Sequence, residues 1–324
     1  MIVRIVKDWN RETPMFRQTP NNDGIWEDIQ FTFDDIERCD YLIVCNRPPY
    51  DLKVNCPEGH KWLISMEPPI EEYSFCVNSF KFFDKIFSQR QNSVTKNLEF
   101  THGSLPWHID IEYTELKNLN IGTSHKLEKI SFVTSNLRTT EGHRKRMKFL
   151  EFMRNQNTIE IDYFGRGINE IENKFDALYP YKYSIAIESC SYDHYWTEKL
   201  ADCFLSWTMP IYYGAPNITD YFPKESMIMI DLSDPNDSVR TIMKALNEDK
   251  WSTNIKYLKI ARDLVLNKYQ LFPRMVSEIK NNNQIPGIKN INFIPSNPAP
   301  WELNRTIIER LNNKIKRSIP WKKL

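Results

Sequence analysis

Apolar residues occur in short runs along most of this chain, each cut off by a polar or proline-containing loop. In the first 125 residues the runs 2–6, 41–45, 62–65 and 85–88 are compact and rich in β-branched or aromatic side chains, as strands buried on both faces are. From Lys129 the pattern becomes a cleaner alternation. Residues 130–134, 159–164, 183–187, 211–213 and 227–230 predict strands. Residues 144–153, 239–246 and 255–266 carry the period of amphipathic helices. Trp196, Leu200, Cys203, Phe204 and Trp207 share one helical face, and Pro210 ends that helix. Strands alternating with helices at this spacing predict an α/β fold with mostly parallel sheets covered on both faces.

Two composition shifts divide the chain. The polar stretch 116–129, with Gly122, Thr123 and Ser124, reads as a domain junction, and the region from Pro286 is rich in Pro and Asn. The expected division is 1–125, 126–285 and a tail of 286–324, helical from Trp301, that packs back on the body. The same tail alternates Ile307, Ile308 and Leu311 with Arg and Lys, so it also reads as a basic amphipathic segment touching an anionic membrane surface.

Net charge of +1 gives no global attraction to nucleic acid. No apolar run approaches the roughly 18 residues of a membrane span. The opening MIVRIVKDW reads as a first strand and not as a leader, so a cytoplasmic location is expected. None of the six cysteines forms C-x-x-C, which leaves reduced, mostly buried thiols as the expectation.

Chemistry concentrates at strand ends. The run 183–187 stops at Glu188, a polar loop from Ser189 to Tyr195 follows, and Thr197-Glu198-Lys199 opens the next helix. The free N–H groups and the dipole at a helix start favour an anion, and a lysine there suits a phosphate. Glu198 beside it could accept sugar or ribose hydroxyls. Arg144, with Arg138 as its rival, could add a guanidinium for a diphosphate. In the first half, Met66-Glu67-Pro68-Pro69 follows a strand directly, so Glu67 is either an exposed loop acid or a carboxylate at the lip of a cleft. There is no Asp-x-Asp, Walker loop, His-Glu-x-x-His or G-x-G-x-x-G motif, so no metal is expected.

The stretch YKYSIAIESCSYDHYWTEKLADCFLSWTMPIYYGAP resembles the signature of the α-1,3/1,4-fucosyltransferases, glycosyltransferase family 10. Tyr181-Lys182-Tyr183, Glu188, Tyr195, Thr197-Glu198-Lys199, Pro210, Gly214 and Pro216 fall in register with it. Weaker likeness extends to Ser135-Asn136, Asp162-Tyr163-Phe164-Gly165 and Phe222-Pro223, and Met66-Glu67-Pro68-Pro69 looks like the family's E-S-P element. One departure falls in the loop, where the family's Asn is Ser189.

The resemblance implies a GT-B fold of two Rossmann-like domains facing across a cleft. It implies inverting, metal-independent transfer of fucose from GDP-fucose to a glycan hydroxyl, in an α-1,3-type linkage, by an enzyme of the bacterial or viral cytoplasmic type. Carried over by position, Glu67 is the catalytic base, and Arg144, Glu188, Ser189, Tyr195, Glu198 and Lys199 bind the donor. A transferase using another nucleotide sugar, or a nucleotide-sugar or glycan-binding protein without turnover, remains the alternative.

Overall fold

In the computed structural model, residues 1–9, 14–91, 95–121, 126–156, 158–282 and 289–303 are described. Gly122, Thr123 and Ser124 of the expected junction, and the tail beyond Leu303, lie outside them.

Among the described residues the first half contributes eight strands: β1 (Ile2–Lys7), β2 (Ile25–Trp26), β3 (Ile29–Thr32), β4 (Tyr41–Cys45), β5 (Leu52–Pro57), β6 (Lys61–Ile64), β7 (Lys85–Ser88) and β8 (Leu98–Phe100). Seven form one sheet in the order β2-β3-β1-β4-β6-β7-β8, parallel apart from β2. All of β4 and β6 is buried, which is why these strands read as unbroken apolar runs. After α1 (Tyr113–Asn118), the second half builds a five-stranded parallel sheet. Its strands are β9 (Leu127–Val133), β10 (Ile161–Phe164), β11 (Tyr181–Ile187), β12 (Met209–Tyr213) and β13 (Ile228–Met229), in the order β10-β9-β11-β12-β13.

The second-half helices are α2 (Glu141–Arg154), α3 (Glu198–Leu205), α4 (Pro235–Asn247), α5 (Lys250–Thr253), α6 (Ile255–Leu264) and α7 (Leu271–Lys280). Helix α2 starts three residues before the expected position. The Thr140 hydroxyl accepts from the His143 amide at 3.2 Å while the His143 ring accepts from the Thr140 amide, a reciprocal cap that fixes the start at Glu141. Helix α3 starts at Glu198, after a Thr197 cap, so Trp196 packs just outside it.

Met147, Leu150 and Met153 of α2, with Val239 and Ile242 of α4, bury one face each against Ile130, Phe132, Tyr183 and Ile185 of the second sheet. Leu200, Ala201 and Phe204 of α3 join a second cluster with Val3, Ile5, Trp62 and Phe87 of the first sheet. Helix α7 returns to the first half. Phe272 meets Phe31 edge-on at 5.1 Å, and the buried Arg274 donates to the His102 carbonyl and, at 2.9 Å, to the Ser104 hydroxyl. The tail is not helical at once. β14 (Lys289–Ile294) pairs antiparallel with β5 before a short α8 (Pro300–Leu303). The two sheets thus share one cluster of buried side chains.

Candidate active site

The second-half site is built where β11 stops. The Glu188 amide still donates to Tyr213 O of β12 at 2.8 Å, so its side chain projects from the sheet edge. Glu188 is fully buried, and both its oxygens are occupied: Oε1 accepts from the Thr197 amide and Oε2 from the Thr197 hydroxyl, each at 2.7 Å. This carboxylate folds the polar loop back onto the start of α3. Gly214 is required beside it, since a Cβ there would meet the Tyr212 hydroxyl first and then Glu188 Cγ at 2.6 Å. Glu188, expected at the donor, is bonded here to the start of α3.

Lys199 Nζ lies 3.0 Å from Glu198 Oε1, 3.0 Å from Thr197 Oγ1 and 3.4 Å from Glu188 Oε2, with about 24% of its side chain exposed. Burial alone would lower the Lys199 pKa, but Glu198 and Glu188 outweigh it and raise it. Burial would raise Glu198 in the same way. Lys199, His108 and Lys174 overcome that and hold its carboxyl well below the usual range. The lysine and one carboxylate therefore stay charged in a largely dry place.

The guanidinium beside them is Arg146. Arg144 is exposed and donates to the carbonyls of Arg138 and Thr139 at 3.3 and 3.2 Å, while Arg138 pairs with Glu151 at the surface. The apolar face of Met147, Leu150 and Met153, packed on the sheet, turns Arg146 inward and leaves Arg144 outward. Arg146 is buried, is influenced by Glu188, Glu198 and Tyr195, and its Nε has no partner among the described residues. An unsatisfied buried guanidinium N–H beside a lysine fits an oxyanion.

The start of α2 reaches the same place. A Cβ on Gly142 would lie 1.6 Å from the Ser189 carbonyl oxygen, so only glycine lets the first turn of α2 press against the loop. Two helix starts thus flank Ser189. The Ser189 hydroxyl bonds the Tyr195 hydroxyl at 2.9 Å, and both residues are buried. Burial first, then the Glu188 charge, push the Tyr195 phenol well above its ordinary value, so it stays a neutral hydrogen-bonding group.

The first half brings Glu67 to this cluster. It follows β6 at the sheet's carboxyl edge, half-buried, with its amide donating to Asn46 Oδ1 at 3.1 Å. Burial, then Asp8 and Glu198, raise its pKa against the opposing pull of Arg47 and Lys199, leaving it at about 7. Glu198 and Lys199 of α3 thus act electrostatically on a carboxyl carried by the other sheet.

Pattern reading missed Arg146, Asn46, Asp8 and His108. His108 Nδ1 sits 3.8 Å from Glu198 Oε1, and its amide donates to both oxygens of the buried Asp202. The helical period did hold the signal for Arg146, which shares a face with Leu150 and Met153. Two surface hollows of about 290 and 460 Å³ lie at the amino-terminal ends of β7 and β8, away from these groups. The chemistry sits instead at the carboxyl ends and helix starts.

Comparison with known proteins bears on this half directly. Residues 123–278 match the family described as glycosyltransferase family 10 (fucosyltransferase) C-term. A zebrafish (Danio rerio) GDP-fucose protein O-fucosyltransferase 3 is 34% identical over 86 residues, which are 26% of this chain and 19% of that protein. A Helicobacter pylori alpha-(1,3)-fucosyltransferase FucT is 33% identical over 60 residues, 18% of this chain and 13% of its own length. These alignments span a fifth or less of either relative. A crystal structure of an alpha1,3-fucosyltransferase superposes with a TM-score of 0.53 at 14% identity, covering 90% of this chain and 93% of that one. The overall fold is therefore the two-sheet GT-B arrangement. Residues 123–278, which carry Arg146, Glu188 and the Thr197-Glu198-Lys199 helix start, are thus a C-terminal domain of the glycosyltransferase family 10 (fucosyltransferase) type.

Proposed function

We propose that this chain is a glycosyltransferase that moves fucose from GDP-fucose to a glycan hydroxyl with inversion, without a metal and in an α-1,3-type linkage. The observation that carries this reading is the pairing of two opposite halves. Lys199 and Arg146 gather at Glu188 and Glu198 where α3 begins, the start of α2 presses on Ser189 beside them, and Glu67, poised near neutrality, answers from the other sheet. A related fold has been solved as "alpha1,3-Fucosyltransferase with GDP-fucose", with a TM-score of 0.52 at 14% identity over 89% of this chain and 92% of that one.

In this mechanism the Glu67 carboxylate takes the proton of the acceptor hydroxyl as its oxygen attacks the anomeric carbon. The bond from that carbon to the diphosphate breaks on the opposite face, and its electron pair stays on the departing GDP. A base with a pKa near 7 is well matched to neutral pH. Lys199 and Arg146 stabilise the growing negative charge in the role a metal takes elsewhere. The acceptor belongs to the 1–125 side and the donor to the 126–285 side, with α7 clasping the two, so closing the cleft assembles the site.

We assign the protein to the cytoplasm, where its six unbridged thiols would stay reduced. The basic tail, beyond the described residues, is proposed to touch an anionic membrane surface. No helix among the described residues is long and apolar enough to cross one.

A thermal-shift panel of nucleotide sugars tests the donor. Stabilisation by GDP and GDP-fucose but not by UDP- or CMP-sugars is expected. A response to UDP-sugars alone would point to a transferase with a different donor, and no response to guanine nucleotides would end the fucose reading.

A further inference from the structure

Glu67 does not stand alone at its sheet edge. β1, β4 and β6 are neighbours in the first sheet, and the residues just past their carboxyl ends are Asp8, Asn46 and the turn 65–67. Asn46 joins all three. Its side-chain oxygen accepts from the Met66 amide at 2.7 Å and the Glu67 amide at 3.1 Å, and its side-chain nitrogen donates to Asp8 Oδ1 at 2.9 Å. Arg47 Nε holds the other Asp8 oxygen at 2.9 Å and is itself tied to Asn297 O and Glu302 of the tail. Asn46 is buried and has φ +65°, a left-handed conformation that Asn tolerates better than most side chains. A buried residue in this conformation, bonded through both ends of its side-chain amide, holds something in position.

We propose that Asn46 and Asp8 are positioning residues for Glu67: Asn46 fixes the turn that aims its carboxylate into the cleft, and Asp8, clamped by Arg47, supplies a fixed negative charge beside it. The proposal rests on the reading of Glu67 as the base. The charged and titratable groups around Glu67 come from every neighbouring element. They are Asp8 from β1, Arg47 from β4, Glu198 and Lys199 from α3, and Tyr73 with Cys76 from the 3-10 helix Glu71–Phe82; Glu302 of the tail faces Asp8. After burial, Asp8 is the strongest influence raising Glu67. Burial is the largest influence on Asp8 and leaves its pKa raised, while Asn46 and Arg47 pull toward its charged form.

The isosteric Asp8→Asn variant tests this in protein carrying 13C-labelled glutamate carboxyls. The resonance missing from Glu67→Gln identifies Glu67, whose midpoint should lie near 7 in the parent. Asp8→Asn should move it down by roughly one pH unit, and the acid limb of GDP release from GDP-fucose should move with it. An unmoved midpoint overturns the role of Asp8. Asn46→Gly keeps the left-handed backbone and removes all three side-chain bonds. It should slow GDP release at saturating GDP-fucose by roughly 10- to 100-fold with GDP affinity unchanged, and parental turnover would overturn the role of Asn46. If Glu67→Gln itself turned over at the parental rate, the base assignment would fall, while the carboxyl titration would still decide whether Asp8 acts on Glu67.

Discussion

Replacing Lys199 with methionine removes the cation from a cluster whose two carboxylates are almost dry: the side chains of Glu188 and Glu198 are 0% and 12% exposed. Losing one partner of a buried ion pair costs about 3–5 kcal/mol. Because Lys199 keeps a quarter of its side chain in solvent, the lower figure of about 3 kcal/mol applies. For a chain this long that corresponds to a fall in Tm of roughly 5 °C. The loss should have a pH signature. Glu198 titrates below its unfolded value near 4.3, so its stabilisation is present above that value and lost as pH falls. Lys199 titrates above its unfolded value near 10.4, so its contribution is present below that value and lost at higher pH. The Tm deficit of Lys199→Met should therefore be flat from about pH 5 to pH 10 and shrink toward pH 4.

Donor binding separates the two roles of this lysine. A charge-assisted bond to phosphate contributes about 1.5–3 kcal/mol, so GDP affinity should fall roughly 10- to 150-fold. Adding Glu198→Gln removes the stranded carboxylate and should restore part of the Tm without restoring GDP affinity. Scanning calorimetry across pH and calorimetric GDP titration on the two single variants and the double variant make the test. Parental GDP affinity in Lys199→Met would refute its place at the diphosphate, and an unchanged Tm would refute the buried-charge argument.

Other outcomes follow from the same geometry. Arg146→Ala should weaken GDP binding at least roughly tenfold, while Arg144→Ala, outward on the same helix, should leave it within about twofold; equal effects in calorimetric titration would contradict the helix register. Gly142→Ala drives a methyl into the Ser189 carbonyl, so chemical denaturation should show a loss of about 2 kcal/mol or more and GDP binding should weaken with it. Glu67 works as a base only when ionised, so turnover should rise with pH through about 7. Because the folded state holds the Glu67 proton to higher pH than the unfolded chain, stability should fall between pH 4.5 and 7 on this account. Glu67→Gln should therefore melt higher than the parent at pH 8 and equal to it near pH 4, a crossover that calorimetry would register or exclude.

The sheets and the helix start at Thr197 are legible in the sequence because they rest on local signals. An apolar run buried on both faces, as in 41–45, and a Thr cap before an amphipathic stretch both reveal themselves without knowledge of the rest of the chain. The Arg144 expectation rests on chain order, as the first arginine of the helical run. Thr140 and His143 cap α2 at Glu141, and the buried face set by Met147, Leu150 and Met153 carries Arg146 with it and leaves Arg144 exposed. Glu188 shows a different limit, since its strand-end position is visible while the capture of both its oxygens by Thr197 is a tertiary fact. Asp8 and Asn46 were invisible for a related reason. They stand some 20 to 60 residues from Glu67 in sequence and meet it only because β1, β4 and β6 are adjacent. β14 escaped notice because its pairing with β5 spans more than 200 residues.

The central claim is that two halves divide one reaction, with the donor held by Arg146 and Lys199 and the proton taken by Glu67. Glu67→Gln tests it most directly, through GDP-fucose affinity by calorimetry alongside GDP release in the presence of a glycan-acceptor panel. The account predicts GDP-fucose affinity within about twofold of the parent and a loss of turnover of at least roughly 100-fold. Transfer at the parental rate, or loss of GDP-fucose binding together with turnover, would contradict it.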